Sequence, residues 1–384
     1  MKEEGLFMDI DQSFNGEGKR YINQDQIYMK MAIELAKKGA GNVNPNPMVG
    51  AIIVKSGEII GSGYHKEFGG PHAEVNAIDS CSDGLDGSTI YVTLEPCCHH
   101  GKTPPCTDLI IKSNIKRVVI GSVDNNPIVS GKGIKILKSH GILVDIYVLK
   151  SECDELNEMY FYSNRNKKPF VLMKYGMTAD GKIATNTGES KWITGERSRK
   201  YVHKTRNNLT AIMAGIGTVL KDDPLLNCRI ENGKNPVRIV CDSKLKIPLD
   251  SNIIKTSQKI KTIVATVSED YKKIEKLKNY GVKILEIKKL KGMLDLNDLM
   301  KKLYDLKIDS ILLEGGSTLN FSALESEIVD RIHVYIAPKI FGGVQSVTPI
   351  GGFGISEIEK AVKLAYRQTR IIDGDVLIEY DVSL

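Results

Sequence analysis

No stretch of the 384-residue chain approaches the roughly 18 consecutive apolar residues that a membrane-spanning helix needs. The opening residues, MKEEGLFMDIDQSFNGEGKRYINQ, lack both an apolar core and a small-residue cleavage signal, so they do not read as a secretory peptide. Residues 1–24 are read instead as a polar extension, and the cytoplasm is the expected compartment. There is no low-complexity tract and no fixed-period repeat. No block of like charge stands out; a formal net charge of +6 suits a phosphorylated small molecule better than a polyanion. A disulfide framework is also missing, since seven cysteines make an odd number. Thiols beside histidine in such a chain more often bind metal or react than cross-link. The dinucleotide fingerprint G-x-G-x-x-G is absent.

What is present is ordinary globular composition, with 41% hydrophobic and 26% charged residues, in a chain long enough for two domains. Tyr28, Met31, Ala32 and Leu35 recur at helical spacing. MVGAIIVKSGEIIGSGYH reads as two strands around a Ser56–Gly57 turn. PHAEVNAIDSC reads as a helix with Pro71 in its first position. Strands and helices then alternate through KRVVIGSVD and GIKILKSHGILVDIYV, which is the rhythm of a layered α/β domain. The pattern weakens in SECDELNEMYFYSNRNKKP. The expected division is therefore a domain over 25–150, a linker over 151–168 and a second α/β domain over 169–384. In the second domain, late strands at RIHVYIAPKI and GDVLIEYDV suggest an antiparallel portion added to a parallel sheet.

The chemistry concentrates in HKEFGGPHAEV and LEPCCHHGKTPPC. Catalytic zinc takes three protein ligands and keeps one position for water. His72, Cys97 and Cys106 can supply the three, and Glu74 lies two residues from the histidine, able to face that water. This is the H-x-E…P-C…C grammar of zinc deaminases, in which the carboxylate moves the protons. Cys106 follows Pro105 at an expected helix start, where the dipole favours thiolate. CHHGKTPP separates the cysteines more widely than the short P-C-x-x-C form, and Cys98 is a rival ligand, though adjacency to Cys97 makes joint chelation poor geometry.

In the second half, SILLEGGSTLN and MAGIGT each run from a strand into a glycine turn. Such turns let backbone amides approach a phosphate. Asp180 in TADGK reads as a turn residue without chemistry.

Taken together, NPNPMVG, GYHKEFGGPHAE, LEPCCHHGKTPPC and DNNPIVSGKG resemble the deaminase half of the bifunctional deaminase–reductases of riboflavin biosynthesis, from about Asp25 to Lys150. KYGMTADGKIA, SKWITG and GTVLKDDPLLNCR resemble the reductase half of the same family, from about Pro169 onward. The resemblance implies an α/β fold in which an N-terminal cytidine-deaminase-like three-layer domain precedes a dihydrofolate-reductase-like domain. It implies zinc on His72, Cys97 and Cys106, with Glu74 as proton shuttle. Asn46, His65, His99, Lys102, Asp124 and Asn126 would line the pyrimidine and phosphate site. Around NADPH it places Gly176, Trp192, Thr218, Asp222, Ser243 and the turn Gly316, Ser317, Thr318, Leu319 and Asn320. Around the phosphosugar it places Lys174, Ser190, Arg206, Leu226, Arg229 and Glu314. The expected reactions are zinc-dependent deamination of a diaminopyrimidinone ribosyl phosphate and NADPH-dependent reduction of the ribosyl chain of the resulting aminouracil. The expected partners are these small molecules and further copies of the chain, with no nucleic acid and no membrane. A nucleoside or tRNA-base deaminase would share the zinc grammar but not the second half, and a zinc-stabilised binding protein would lack turnover.

Overall fold

A computed structural model describes residues 24–99, 104–126 and 129–383. Lys102 and all but the last residue of the expected N-terminal extension lie outside them. Helix α1 (Gln24–Lys37) buries Met29, Ala32, Ile33 and Ala36, and leaves Met31 exposed. Strands β1 (Gly50–Lys55) and β2 (Glu58–Tyr64) form a hairpin. Ser56 and Gly57 both take positive φ (52° and 86°), as a two-residue hairpin turn of this hand requires. Then follow α2 (Ala73–Asp79), β3 (Thr89–Leu94), α3 (Cys106–Lys112), β4 (Arg117–Ser122), α4 (Lys132–Ser139) and β5 (Leu143–Ile146). The five strands form one sheet in the order β2-β1-β3-β4-β5, parallel from β3 to β5.

Because side chains alternate across a strand, Ile53, Ile90, Val92, Val118 and Ile120 meet α2, α3 and α4 on one face. Ile52, Val54, Tyr91 and Val119 meet α1 on the other. That makes three layers. Gly63 on β2 lets α2 sit close: a Cβ there would lie 2.3 Å from the Ala77 backbone nitrogen. Pro71 stands outside α2, whose N-cap is His72 in an extended conformation. The helix starts later than its proline suggests.

The stretch expected to link the halves contains two short helices, α5 (Lys150–Leu156) and α6 (Glu158–Asn166). Asn157 between them is buried; its amide donates to Met48 O (2.9 Å) and its carbonyl accepts from Met48 N (2.8 Å).

The second half runs β6 (Phe170–Thr178), α7 (Glu196–Asn208), β7 (Ala211–Gly215), α8 (Ile216–Asp222), β8 (Val237–Cys241), α9 (Asn252–Lys255), β9 (Thr262–Thr266), α10 (Tyr271–Asn279) and β10 (Lys283–Glu286). It continues through the two-residue strands β11 (Lys289–Leu290) and β12 (Met293–Leu294), then α11 (Leu296–Asp305), β13 (Ser310–Leu313), α12 (Ser317–Glu325), β14 (Arg331–Ala337), β15 (Lys363–Ile372) and β16 (Asp375–Ser383). Nine strands form one sheet ordered β10-β9-β8-β7-β13-β6-β14-β16-β15. It is parallel from β10 to β14, and β16 and β15 add an antiparallel edge; β14, expected within that antiparallel portion, instead runs parallel to β6. Leu296, Leu299, Met300 and Leu303 of α11 cover one face, while Val219, Ile274 and Leu277 cover the other. Some elements differ from the sequence reading. Residues 216–218, read as part of a glycine turn, open α8. The outer strand β15 is mostly exposed and so lacks the alternation that reveals a strand.

Candidate active sites

His72, Cys97 and Cys106 converge, each offering a ligand atom within 4.8 Å of the others. His72 comes from the N-cap of α2, Cys97 from the loop after β3, and Cys106 from the first position of α3. His72 Nδ1 lies 3.3 Å from Cys106 Sγ and 3.5 Å from Cys97 Sγ. A tetrahedral zinc with usual Zn–S and Zn–N lengths sets its sulfur–nitrogen edges at about 3.6 Å. The three donors therefore fit the ion that the motif implies. Cys98 is not part of the convergence.

Cys97 and Cys106 are tightly paired through a shared hydrogen bond. Hydrogen bonds from the Cys106 thiol, from His72 and from the Cys106 backbone nitrogen (3.4 Å) hold Cys97 well below the usual thiol range. The same pairing with Cys97 pushes the buried Cys106 up. Glu74 is buried on the inner face of α2, and burial raises its carboxyl to about 7, with the Cys97 charge adding to the shift. A group poised there exchanges protons near neutrality.

A cavity of about 450 Å³ opens onto this cluster. Asn46, His65, His99, Asp124 and Asn126 line it, as expected. His65 Nδ1 faces Pro71 O at 2.9 Å; since a carbonyl only accepts, Nδ1 carries the proton. Nε2 then accepts from the Asn46 amide at 3.3 Å, which frees the Asn46 oxygen for the cavity. Burial keeps His65 neutral by lowering its pKa. Asp124 accepts from the Asn126 backbone and from the Tyr160 hydroxyl. Sequence reasoning missed Glu95 and Tyr160. The buried Glu95 accepts from Gly131 N (2.9 Å) and Ile134 N (3.3 Å), tying the start of α4 to the cysteine loop; its place just before Pro96–Cys97 was the available clue. The wall also contains Tyr304, Lys307, Ile308 and Asp309 from the second half, for which no motif gives a signal.

A second cavity, of about 890 Å³, lies at the C-terminal ends of the parallel strands β7, β8 and β13. Open α/β sheets bind ligands at that edge. Ser190, Thr218, Asp222, Ser243, Glu314, Gly316, Ser317, Thr318 and Leu319 line it. Asn320 does not; it is fully buried and donates to Pro349 O at 3.0 Å. Gly176, Lys174, Trp192, Arg206, Leu226 and Arg229 are outside the lining as well. Trp192 is largely exposed, with the Arg199 guanidinium 4.5 Å over its ring. Leu226 is buried at φ 46°. Gly176 pairs with Tyr335 across β6 and β14, packed on Thr194. The Arg206 fork, expected to hold phosphate, grips Glu314 at 2.6 and 2.9 Å. Lys174 adds a third contact to Glu314 at 3.0 Å, and these cations hold that buried carboxyl far below its usual range. Arg229 Nε lies 3.2 Å from His203 Nε2. Asp180 fastens a turn through Thr178, Phe341 N and Gly342 N, as read.

Comparison with known proteins agrees with both halves. A family model described as the cytidine and deoxycytidylate deaminase zinc-binding region matches residues 22–122, and one described as the RibD C-terminal domain matches residues 169–378. The chain is 56% identical to the riboflavin biosynthesis protein RibD of Actinobacillus pleuropneumoniae over 93% of its own length and 95% of that protein. It superposes on a solved Thermotoga maritima protein titled a diaminohydroxyphosphoribosylaminopyrimidine deaminase/5-amino-6-(5-phosphoribosylamino)uracil reductase. That match has TM-score 0.84 and 41% identity and covers 94% and 99% of the two chains. RibD of Acinetobacter baumannii gives a TM-score of 0.86 at 34% identity, with the same coverage. The first domain is thus cytidine-deaminase-like and the second a reductase domain of the dihydrofolate-reductase-like type. No helix among the described residues is long and apolar enough to cross a membrane. The chain belongs to the RibD family, and is a bifunctional riboflavin-biosynthesis enzyme in which a zinc-dependent deaminase is joined to an NADPH-dependent reductase.

Proposed function

We propose that the enzyme deaminates 2,5-diamino-6-(5-phosphoribosylamino)pyrimidinone in the first cavity. In the second it reduces the ribosyl chain of 5-amino-6-(5-phosphoribosylamino)uracil to ribityl. The reading divides the chain into a deaminase domain over 25–150, a helical linker over 151–168 and a reductase domain over 169–384. The observation that carries it is the convergence of one imidazole on two thiols, 3.3 and 3.5 Å from its Nδ1, beside a buried carboxyl.

His72, Cys97 and Cys106 would hold zinc, which when bound would supply a water of lowered pKa. Glu74 takes a proton from the attacking water and delivers it to the departing ammonia; its pKa near 7 suits both directions. Asn46 presents its oxygen to a ring N–H because its amide is spent on His65. His99, Asp124 and Asn126 complete the pyrimidine and ribose wall, with Lys102 directed to phosphate. In the second cavity NADPH supplies the hydride. The turn from Gly316 onward, with Gly176, Trp192, Thr218, Asp222, Ser243 and Asn320, is proposed to hold or frame that cofactor. Lys174, Ser190, Arg206, Leu226, Arg229 and Glu314 shape the phosphosugar side, to which the two arginines lend positive charge. A homo-oligomer is supported by apolar side chains exposed along the outer edge, among them Phe353, Ile355, Ile358, Leu364 and Ile371. The cytoplasm is the proposed compartment.

Glu74→Gln tests the mechanism. It should retain zinc and NADPH-dependent reduction while ammonia release falls by about 10²–10⁴-fold. Deamination at the wild-type rate would remove Glu74 from the reaction.

A further inference from the structure

Apart from the metal cluster, carboxyls are the commonest ionisable side chains among the described residues that line the first cavity. Glu74, Glu95, Asp124 and Asp309 all line it, whereas Lys307 is the one lysine or arginine among its described lining residues. A phosphate monoester entering such a cavity needs a cation. Lys307 makes no ion pair or hydrogen bond through its ammonium among the described residues, and it is exposed to the cavity and solvent. It belongs to the other half of the chain, at the end of α11.

Its backbone setting is informative. Leu306 is the C-cap of α11. Lys307 N donates to Tyr304 O (2.8 Å) and Ile308 N donates to Leu303 O (3.1 Å). That pair of bonds is the Schellman closure, whose C′ residue takes the left-handed conformation and is usually glycine. Here lysine occupies it, at φ 63°. A side chain costs some stability at such a position, a cost the chain also bears at Lys167 and Lys291. The next residue, Ile308, is buried and supplies the apolar contact of the motif. The motif thus fixes the point at which the lysine leaves the backbone, on the wall that the second half contributes to the first cavity.

We infer that Lys307 is a substrate-binding residue of the deaminase site, pairing with the 5′-phosphate of the phosphoribosyl group from across the domain boundary. The inference rests on the proposed deamination reaction. The deaminase site is then incomplete without the reductase half, and its selectivity for phosphorylated over unphosphorylated substrate is set partly by a residue some 200 positions away from the zinc ligands.

The test uses full-length enzyme and two probes, the phosphoribosyl substrate and its dephosphorylated ribosyl counterpart. Lys307→Gly removes the cation while giving the turn the residue it normally prefers, so the melting temperature should hold or rise. The expected result is a KM for the phosphorylated substrate raised about tenfold or more, the worth of one hydrogen bond to a charged group. The kcat should stay within about twofold, and the KM for the ribosyl probe should not change. Lys307→Arg should restore most of the affinity, and inorganic phosphate should inhibit the glycine variant less than the wild type. An unchanged KM for the phosphorylated substrate, or equal rises for both probes, would overturn the inference. The wild-type rate tests the reaction; the variant-to-wild-type KM ratio tests Lys307, so the two failures are distinct.

Discussion

His203 shows how far one side chain's setting can depart from its reading in sequence. It sits on α7 against Arg229, with Arg206 close by, and is buried. Burial first, then the two arginines, pull its pKa down to about 4. An unfolded chain returns it to about 6.5. Between those values the unfolded state binds the extra proton and the native state does not, so this residue makes stability fall as pH drops from about 6.5 toward 4. Above 6.5 both states are neutral and it contributes no slope. His203→Gln should flatten that part of the stability profile, read as denaturation midpoints across a pH series. Identical slopes in the two proteins would refute the assignment. In sequence the histidine is one helix position among several polar ones. Its neutrality arises from burial, reinforced by two arginines, of which Arg229 lies 26 residues away and Arg206 one helical turn along, and spacing alone does not disclose either effect.

At the level of elements, the deaminase motif depends on how closely α2 approaches the sheet. Gly63→Ala would bring a methyl within 2.3 Å of the Ala77 backbone, which cannot swing aside. Overpacking of this kind costs about 1–3 kcal/mol. The displacement falls on the helix that carries Glu74 and is capped by His72. Deamination should therefore drop by more than reduction, with a lowered melting temperature; an equal loss in both activities would mean that α2 does not move. The apolar runs of β1, β3, β4, β7, β8 and β13 were legible because strands buried on both faces need nearly continuous hydrophobic residues. The Pro105–Cys106 helix start was legible from proline's preference for helix starts. The strand β15 was not, since exposed edge positions place no demand on hydrophobicity. Nor was α8, whose Ile-Gly-Thr opening follows Gly215 and looks locally like a turn.

For the whole molecule, the two halves meet through polar contacts that no local pattern announces. Asn157 clasps both backbone groups of Met48, and Arg331 of β14 reaches Glu158 of α6 at 2.8 Å. Asn44 donates to Asn208 O at 3.0 Å. Asn157→Ala would remove both hydrogen bonds from the half-buried Met48 backbone, at a cost of about 1 kcal/mol or more. We expect a lower denaturation midpoint and a raised deaminase KM, because the wall formed by residues 304–309 would seat less firmly. Unchanged deaminase parameters would show that Asn157 does not position this wall. The zinc ligands were readable because three residues of distinctive type are chemically sufficient. The shared wall was not, because it is created only when the two sheets dock.

The strand β13 follows directly from Asp309, which lines the first cavity, and leads directly into Glu314, which lines the second. Severing the gene within codons 150–168 would leave every strand in its own sheet, yet the fragment bearing the metal ligands would lose one side of its chamber. Descendants of such a fission would have to rebuild that side from new sequence or keep the two products permanently bound. Fusion in this lineage is accordingly more than a convenience of co-expression, because one catalyst supplies masonry for the other.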